Sequence, residues 1–173
     1  MLAAFDEYLF IRIFNLSQNS SWLEELMVVI TNLSAPVFFL IYLAGFIFLI
    51  LKRSRKIIPY LLAPALALLA VQVIRYYYLR PRPFVALEIE TLIEHAANGS
   101  LPSRHAVSAF AIALSILAIN KKAGRLVLLL AFVTGLSRVM VGVHYPLDII
   151  TGALLAAVIS FSIFSYFYKL SST

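Results

Sequence analysis

The sequence predicts an all-α, polytopic membrane helix bundle with five membrane spans and an N-terminal interfacial helix. Three observations predict it. Of the 173 residues, 62% are hydrophobic and only 13% charged, and the mean hydropathy of +0.96 is far above that of a chain with an ordinary aqueous surface. Several uncharged stretches approach or exceed the ~20 residues that a helix needs to cross a hydrocarbon core about 30 Å thick. Basic residues recur in the short loops between those stretches, which is the pattern of membrane orientation.

The elements follow in chain order. Residues 1–16 would reach only about 24 Å as a helix. They carry Asp6, Glu7 and Arg12, which suits the bilayer interface, with a short sixth span as the competing reading. Asp6 and Glu7 also interrupt the apolar start, so the segment lacks a signal-peptide pattern and is expected to be retained. Spans are expected at about 24–51 and 57–79, because Leu26 to Leu51 and Ile57 to Ile74 carry no charge. A helix at 102–120 has proline in its first turn, and one at 124–142 is interrupted only by Arg138. The last span, 146–168, is uncharged from Ile149 to Tyr168. With no internal repeat or linker, residues 1–173 are expected to form a single domain.

The absence of cysteine excludes disulfides, thiolate metal sites and a cysteine nucleophile. The formal charge of +6 is spread over short loops without a continuous patch, so the expected partner is the bilayer and its lipids, with no nucleic acid and no obligate protein partner evident. If five spans alternate, Lys52, Arg53, Arg55 and Lys56, then Lys121, Lys122 and Arg125, then Lys169 share one face. That face is expected to be cytoplasmic. The loop from Arg80 to Leu101 and the turn at His144 then lie on the extracytoplasmic side.

Three clusters of chemistry-bearing residues end on that side. In RYYYLRPRP, Arg75 to Pro83, three guanidiniums sit at a span end. They are either snorkelling side chains or a bidentate phosphate clamp. In PSRH, Pro102 to His105, a helix start presents free N–H groups with Ser103, Arg104 and His105, a place favourable to an anion. The bland alternative is an ordinary capped helix, with Ser100 or Ser103 as the cap. In SRVMVGVHYPLD, Ser137 to Asp148, Arg138 is a charge inside an apolar segment, which by its desolvation cost points to function. His144 and Asp148 are four residues apart. With Pro146 opening the next helix, Asp148 is placed to reach back and orient the imidazole, either for attack or merely to close a turn.

Together the clusters supply what phosphoryl transfer requires: cations around the phosphate oxygens, a nucleophile and an acid for the leaving group. Arg75-x6-Arg82-Pro83, then Pro102-Ser103-Arg104-His105, then Ser137-Arg138-x5-His144-x3-Asp148 resemble, in order and spacing, the tripartite signature of the type 2 phosphatidic acid phosphatase family. The resemblance implies a bundle of about six helices that removes phosphate from a lipid headgroup without metal or other cofactor. It implies His144 as a nucleophile forming phosphohistidine, Asp148 orienting it, His105 protonating the leaving group, and Arg75, Arg82, Ser103 and Arg138 holding phosphate. Two positions depart from the family pattern. Arg75 replaces a lysine, exchanging a point donor for a planar fork, and Arg104 replaces a glycine, adding a side chain that can contact phosphate or occupy headgroup space. Arg80 matches no motif position and is expected to matter less than Arg138.

Relatives of this size imply a bacterial cytoplasmic membrane enzyme acting on undecaprenyl diphosphate, with a slight preference, or on phosphatidylglycerol phosphate or the 1-phosphate of lipid A. Three rival readings use the same residues. A metal hydrolase would ligate through His105, His144 and Asp148, yet the arginines would repel a divalent cation. A serine hydrolase with Ser103, His144 and Asp148 leaves the arginines without a role. A non-catalytic lipid-phosphate binding or transport protein would use the basic pocket alone.

Overall fold

The computed structural model describes residues 1–172. Its helices are α1 (Leu2–Gln18), α2 (Ser21–Leu51), α3 (Ile57–Tyr77), the one-turn α4 (Pro83–Ala86), α5 (Arg104–Ile119), α6 (Lys121–Met140) and α7 (Pro146–Ser172). No strand occurs among the described residues. Helices α2, α3, α6 and α7 are long and apolar enough to cross a membrane. Outward-facing Phe39, Leu40, Leu129, Phe132, Leu154 and Phe161 are each 61–63% exposed, bulky apolar groups of the kind that face lipid on membrane-spanning helices.

Helix α5 is apolar but has only 16 residues, because it begins at Arg104 with Ser103 as its N-cap. Pro102, expected in its first turn, instead lies outside the helix. The shortness suits its position, for α5 packs against α2, α3, α6 and α7. It is built for close approach: Ala106, Ala109, Ala111, Ala113 and Ser115 are all buried. Small residues let helix backbones pack tightly where lipid offers no hydrophobic driving force between helices. A side chain at Gly124 would collide with the backbone of Leu117. A Cβ at Gly152 would lie 3.2 Å from the Ala106 methyl and 3.3 Å from the Ser103 carbonyl, so α7 runs directly against the first turn of α5.

The two ends of the bundle are tied differently. At one end Lys56 Nζ donates to the Ala118 carbonyl at 2.8 Å, joining the α2–α3 turn to the end of α5. There Asn120 caps α6, accepting from the Lys122 and Ala123 N–H groups at 3.0 Å each, so α6 starts before residue 124. At the other end α1 packs on α2, α6 and α7, with Phe10 and Phe14 against Val139 and Tyr145. Ser17 Oγ donates to the Met140 carbonyl at 2.8 Å. The chain leaves α6 through Gly142, whose φ of +88° favours glycine, and turns into the segment that carries His144.

Candidate active site

His144 lies in the turn between α6 and α7, 1% exposed. Its backbone N–H and that of Val143 both donate to the Arg138 carbonyl at 3.3 Å, so the last turn of α6 sets the height of the ring. Nδ1 is 3.2 Å from Asp148 Oδ2. The same oxygen accepts the Tyr145 N–H at 2.9 Å, which holds the carboxylate in the first turn of α7. Nε2 is 3.1 Å from Arg82 Nη1. A guanidinium can only donate, so Nε2 is the acceptor and the proton sits on Nδ1, facing the carboxylate. That tautomer keeps a lone pair on Nε2, the ring nitrogen opposite the orienting aspartate.

Arg82 is itself 1% exposed. It donates to the Val143 carbonyl at 2.8 Å and grips Asn98 Oδ1 with Nε and Nη2 at 3.2 and 2.7 Å. Burial pulls its pKa down to about 10, with the nearby Arg75 and Arg138 charges adding to the effect, yet it stays cationic at neutral pH. The His144 imidazole is held well below its usual 6.5, first by burial and then by Arg82, Arg138 and Arg75. Both effects favour the neutral imidazole.

Arg138, 2% exposed at the end of α6, differs from its neighbours, because its Nε and Nη2 are buried without any hydrogen-bond partner. A buried charge left uncompensated costs on the order of 3–5 kcal/mol, so this guanidinium calls for an anion. Arg75, at the end of α3, spends its fork differently. It donates to the Ser100 carbonyl at 3.1 Å and to the Pro102 carbonyl at 3.1 and 2.7 Å, fixing the approach to α5. Ser103 is fully buried, caps α5 and donates its N–H to the Asp148 carbonyl at 3.0 Å, linking the starts of α5 and α7. Arg104 is exposed, within electrostatic reach of Arg75 and Arg82. His105 is half-buried beside a cavity of about 170 Å³ that is lined mainly by apolar groups of α2 and α5, including Phe38, Tyr42 and Ile112. The structure thus gathers all eight sequence-predicted residues at one end of the bundle.

It also brings in groups that sequence reasoning missed. Arg80, expected to matter less than Arg138, donates to Asp148 Oδ1 at 3.0 Å and to Asp6 Oδ2 at 2.7 Å. Asp6, on α1, is 1% exposed and also accepts the Leu147 N–H at 2.9 Å. The reasoning that singled out Arg138, a charge within an apolar stretch, applies equally to Asp6 and was the available signal. His95, on the long loop, has its ring centroid 6.4 Å from that of His144. Its pKa is lowered, first by burial and, against a raising contact from Ala96, also by Arg82 and Arg138. Nothing in the sequence spacing marks this histidine.

A buried, oriented imidazole flanked by guanidiniums, one of which, Arg138, has unpartnered buried donors, is an arrangement suited to a tetrahedral oxyanion. Comparison with known proteins agrees. Residues 56–172 match the PAP2 superfamily. The chain belongs to that family. It is 38% identical over 159 residues to undecaprenyl-diphosphatase BcrC of Bacillus subtilis, covering 91% of this chain and 82% of that protein. An undecaprenyl-diphosphatase of Sulfolobus acidocaldarius is 37% identical over 116 residues, 65% of this chain and 56% of that one. The crystal structure of Aquifex aeolicus LpxE superposes with a TM-score of 0.78 at 28% identity, over 92% of this chain and 94% of that chain. A PAP2-type phosphatidylglycerolphosphate phosphatase from Bacillus subtilis shares the fold, with a TM-score of 0.76 at 23% identity over 97% of this chain and 87% of that chain. This PAP2 protein is a multi-pass membrane lipid phosphatase.

Proposed function

We propose that this phosphatase hydrolyses undecaprenyl diphosphate, or a similar long-chain lipid phosphate, through a phosphohistidine on His144 and without a metal ion. The observation that carries the reading is the pairing of an oriented His144 with the unpartnered guanidinium of Arg138. Phosphate oxygens take up Arg138 and draw Arg82 from Nε2, which frees the lone pair. Nε2 attacks the terminal phosphorus in line and the bond to the leaving oxygen breaks, which is the bridging oxygen of the departing lipid monophosphate in a diphosphate and the lipid alcohol oxygen in a phosphomonoester. His105 protonates that oxygen where the leaving group needs it, then takes a proton from the water that attacks the phosphohistidine, releasing inorganic phosphate. Asp148 holds the Nδ1 proton throughout, and Arg75, Ser103 and Arg104 complete the anion-binding end. The clustered positive charge disfavours a divalent cation in the same place.

The similarity to undecaprenyl-diphosphatases supports the substrate. The family resemblance of the three motifs makes the 1-phosphate of lipid A and phosphatidylglycerol phosphate the alternatives for comparison. We place the protein as one domain in the bacterial cytoplasmic membrane with the site outward, because the Lys52–Lys56 and Lys121–Arg125 turns lie at the end opposite His144. The test uses purified protein in detergent with chelator and lipid substrate labelled in the terminal phosphate. Quenching in alkali should trap base-stable, acid-labile label on the wild type and none on His144→Ala. Phosphate release over the three lipid classes should be fastest with undecaprenyl diphosphate. Label retained by His144→Ala, or turnover lost on chelation, would contradict the reading.

A further inference from the structure

We propose that Asp6 and Arg80 are positioning residues of the reaction, forming with Asp148 a carboxylate–guanidinium–carboxylate relay that ties the N-terminal helix to the nucleophile His144. The inference rests on the reading of His144 as nucleophile and extends it to a helix outside the residues matched by the family.

The geometry is specific. Arg80 sits between two carboxylates whose side chains are fully buried, 2.7 Å from Asp6 and 3.0 Å from Asp148. Its guanidinium also lies 3.9 Å from the Tyr145 ring centroid, so three groups fix its plane. Burial alone would lower the Arg80 pKa, but the Asp6 hydrogen bond and the Asp148 and Asp6 charges outweigh it, and the net shift is upward. The two oxygens of Asp148 are divided: Oδ1 goes to Arg80, Oδ2 to His144 and the Tyr145 N–H. Asp6 is divided in the same way, between Arg80 and the Leu147 N–H in the first turn of α7. Asp6 therefore supports both the helix turn that carries Asp148 and the cation that orients it.

This arrangement has an electrostatic consequence for the attacking imidazole. His144 faces Arg75 from α3, Arg82 from the start of α4, Arg138 from α6 and His95 from the long loop, with Asp148 of α7 in contact. Asp148 in turn faces Arg80, Asp6 and Ser100. From α5, Arg104 acts on the neighbouring Arg75, and Ser103 meets Asp148 through its N–H. Against this excess of cations, Asp6 supplies a second buried anion. Removing it makes protonation of His144 harder, and removing Arg80 makes it easier.

The test is the pH dependence of kcat/KM with a polyprenyl diphosphate in detergent, for wild type, Asp6→Asn, Arg80→Gln, Arg80→Lys and His144→Ala. Asp6→Asn should move the acidic limb to lower pH and Arg80→Gln to higher pH, each by about half a unit or more. Both should lower kcat by roughly 10-fold, by analogy with the scale on which outer hydrogen-bonding partners of metal-bound histidines act. KM should change little. Arg80→Lys keeps the charge but cannot span both carboxylates, so its limb should stay in place while kcat is only partly recovered. This variant keeps the proposal testable if the neutral ones fold poorly: wild-type kcat in Arg80→Lys overturns it. Limbs that stay put or move in the same direction in the two neutral variants overturn the relay while His144→Ala remains inactive. Turnover by His144→Ala overturns the nucleophile assignment instead.

Discussion

The two ends of this bundle both carry clustered cations and use them in opposite ways. At the end formed by the α2–α3 and α5–α6 turns, Lys52, Arg53, Arg55, Lys121, Lys122 and Arg125 stand at the surface, and Lys56 finds one backbone carbonyl. At the other end Arg75, Arg82 and Arg138 are at most 9% exposed and Arg80 is braced between two carboxylates. Exposed charges are solvated and screened, which makes them good orientation signals and weak structural contacts. Buried charges must be matched atom by atom, and Arg138, with Nε and Nη2 left unmatched, is where the proposed reading puts the phosphate. The lesson is that burial and pairing, more than the number of arginines, distinguish a binding site from a membrane-facing rim.

That contrast can be broken by experiment. The largest expected effect is His144→Ala, which should abolish turnover of every lipid substrate in a phosphate-release assay, since the proposed reaction runs through its Nε2. Next, Arg138→Ala should lower kcat/KM by about 100-fold or more, whereas Arg125→Ala at the opposite end should stay within about 2-fold. Equal losses would erase the distinction between the two ends. A smaller effect separates substrates. His105→Ala should slow phosphomonoester lipids by roughly a further 10-fold relative to a diphosphate, whose leaving monophosphate stabilises its own charge. Equal slowing of both would remove His105 from the acid role.

The pH profile sharpens the same point. His144 must be neutral to attack, and its pKa is depressed below 6.5 by burial and then by the arginines, so kcat/KM should hold as pH falls through 6.5 and decline only below it. An acidic limb centred above 6.5 would show that the imidazole is not the buried, cation-flanked group described. The mildest test leaves activity intact. The chain has no cysteine, so single Lys122→Cys and Glu94→Cys variants in intact cells can be labelled cleanly. An impermeant reagent should label position 94 and spare position 122. The reverse pattern would turn the protein over in the membrane.

Much of this was legible before any coordinates. Long uncharged runs produced the helices, and the spacing Ser137-Arg138-x5-His144-x3-Asp148 foretold a histidine beside a carboxylate. Helix ends were less legible because they depend on single caps. Asn120 starts α6 early, Ser103 leaves Pro102 outside α5, and the one-turn α4 at Pro83–Ala86 was too short to leave a periodic signal.

What the sequence determined by itself is the class of protein and the chemistry of its parts. A stretch of about 20 apolar residues has few places to go but a bilayer, and motif residues held close along the chain keep their relation whatever the rest does. What only the tertiary structure decided is how distant charges divide the site among themselves. Asp6 lies 74 positions from Arg80 and 141 from Leu147, yet it bonds to both. Arg75 turns its fork to backbone carbonyls while Arg138 keeps donors free. Such choices are made by which groups the folded chain strips of water together, and one-dimensional spacing carries no record of that encounter.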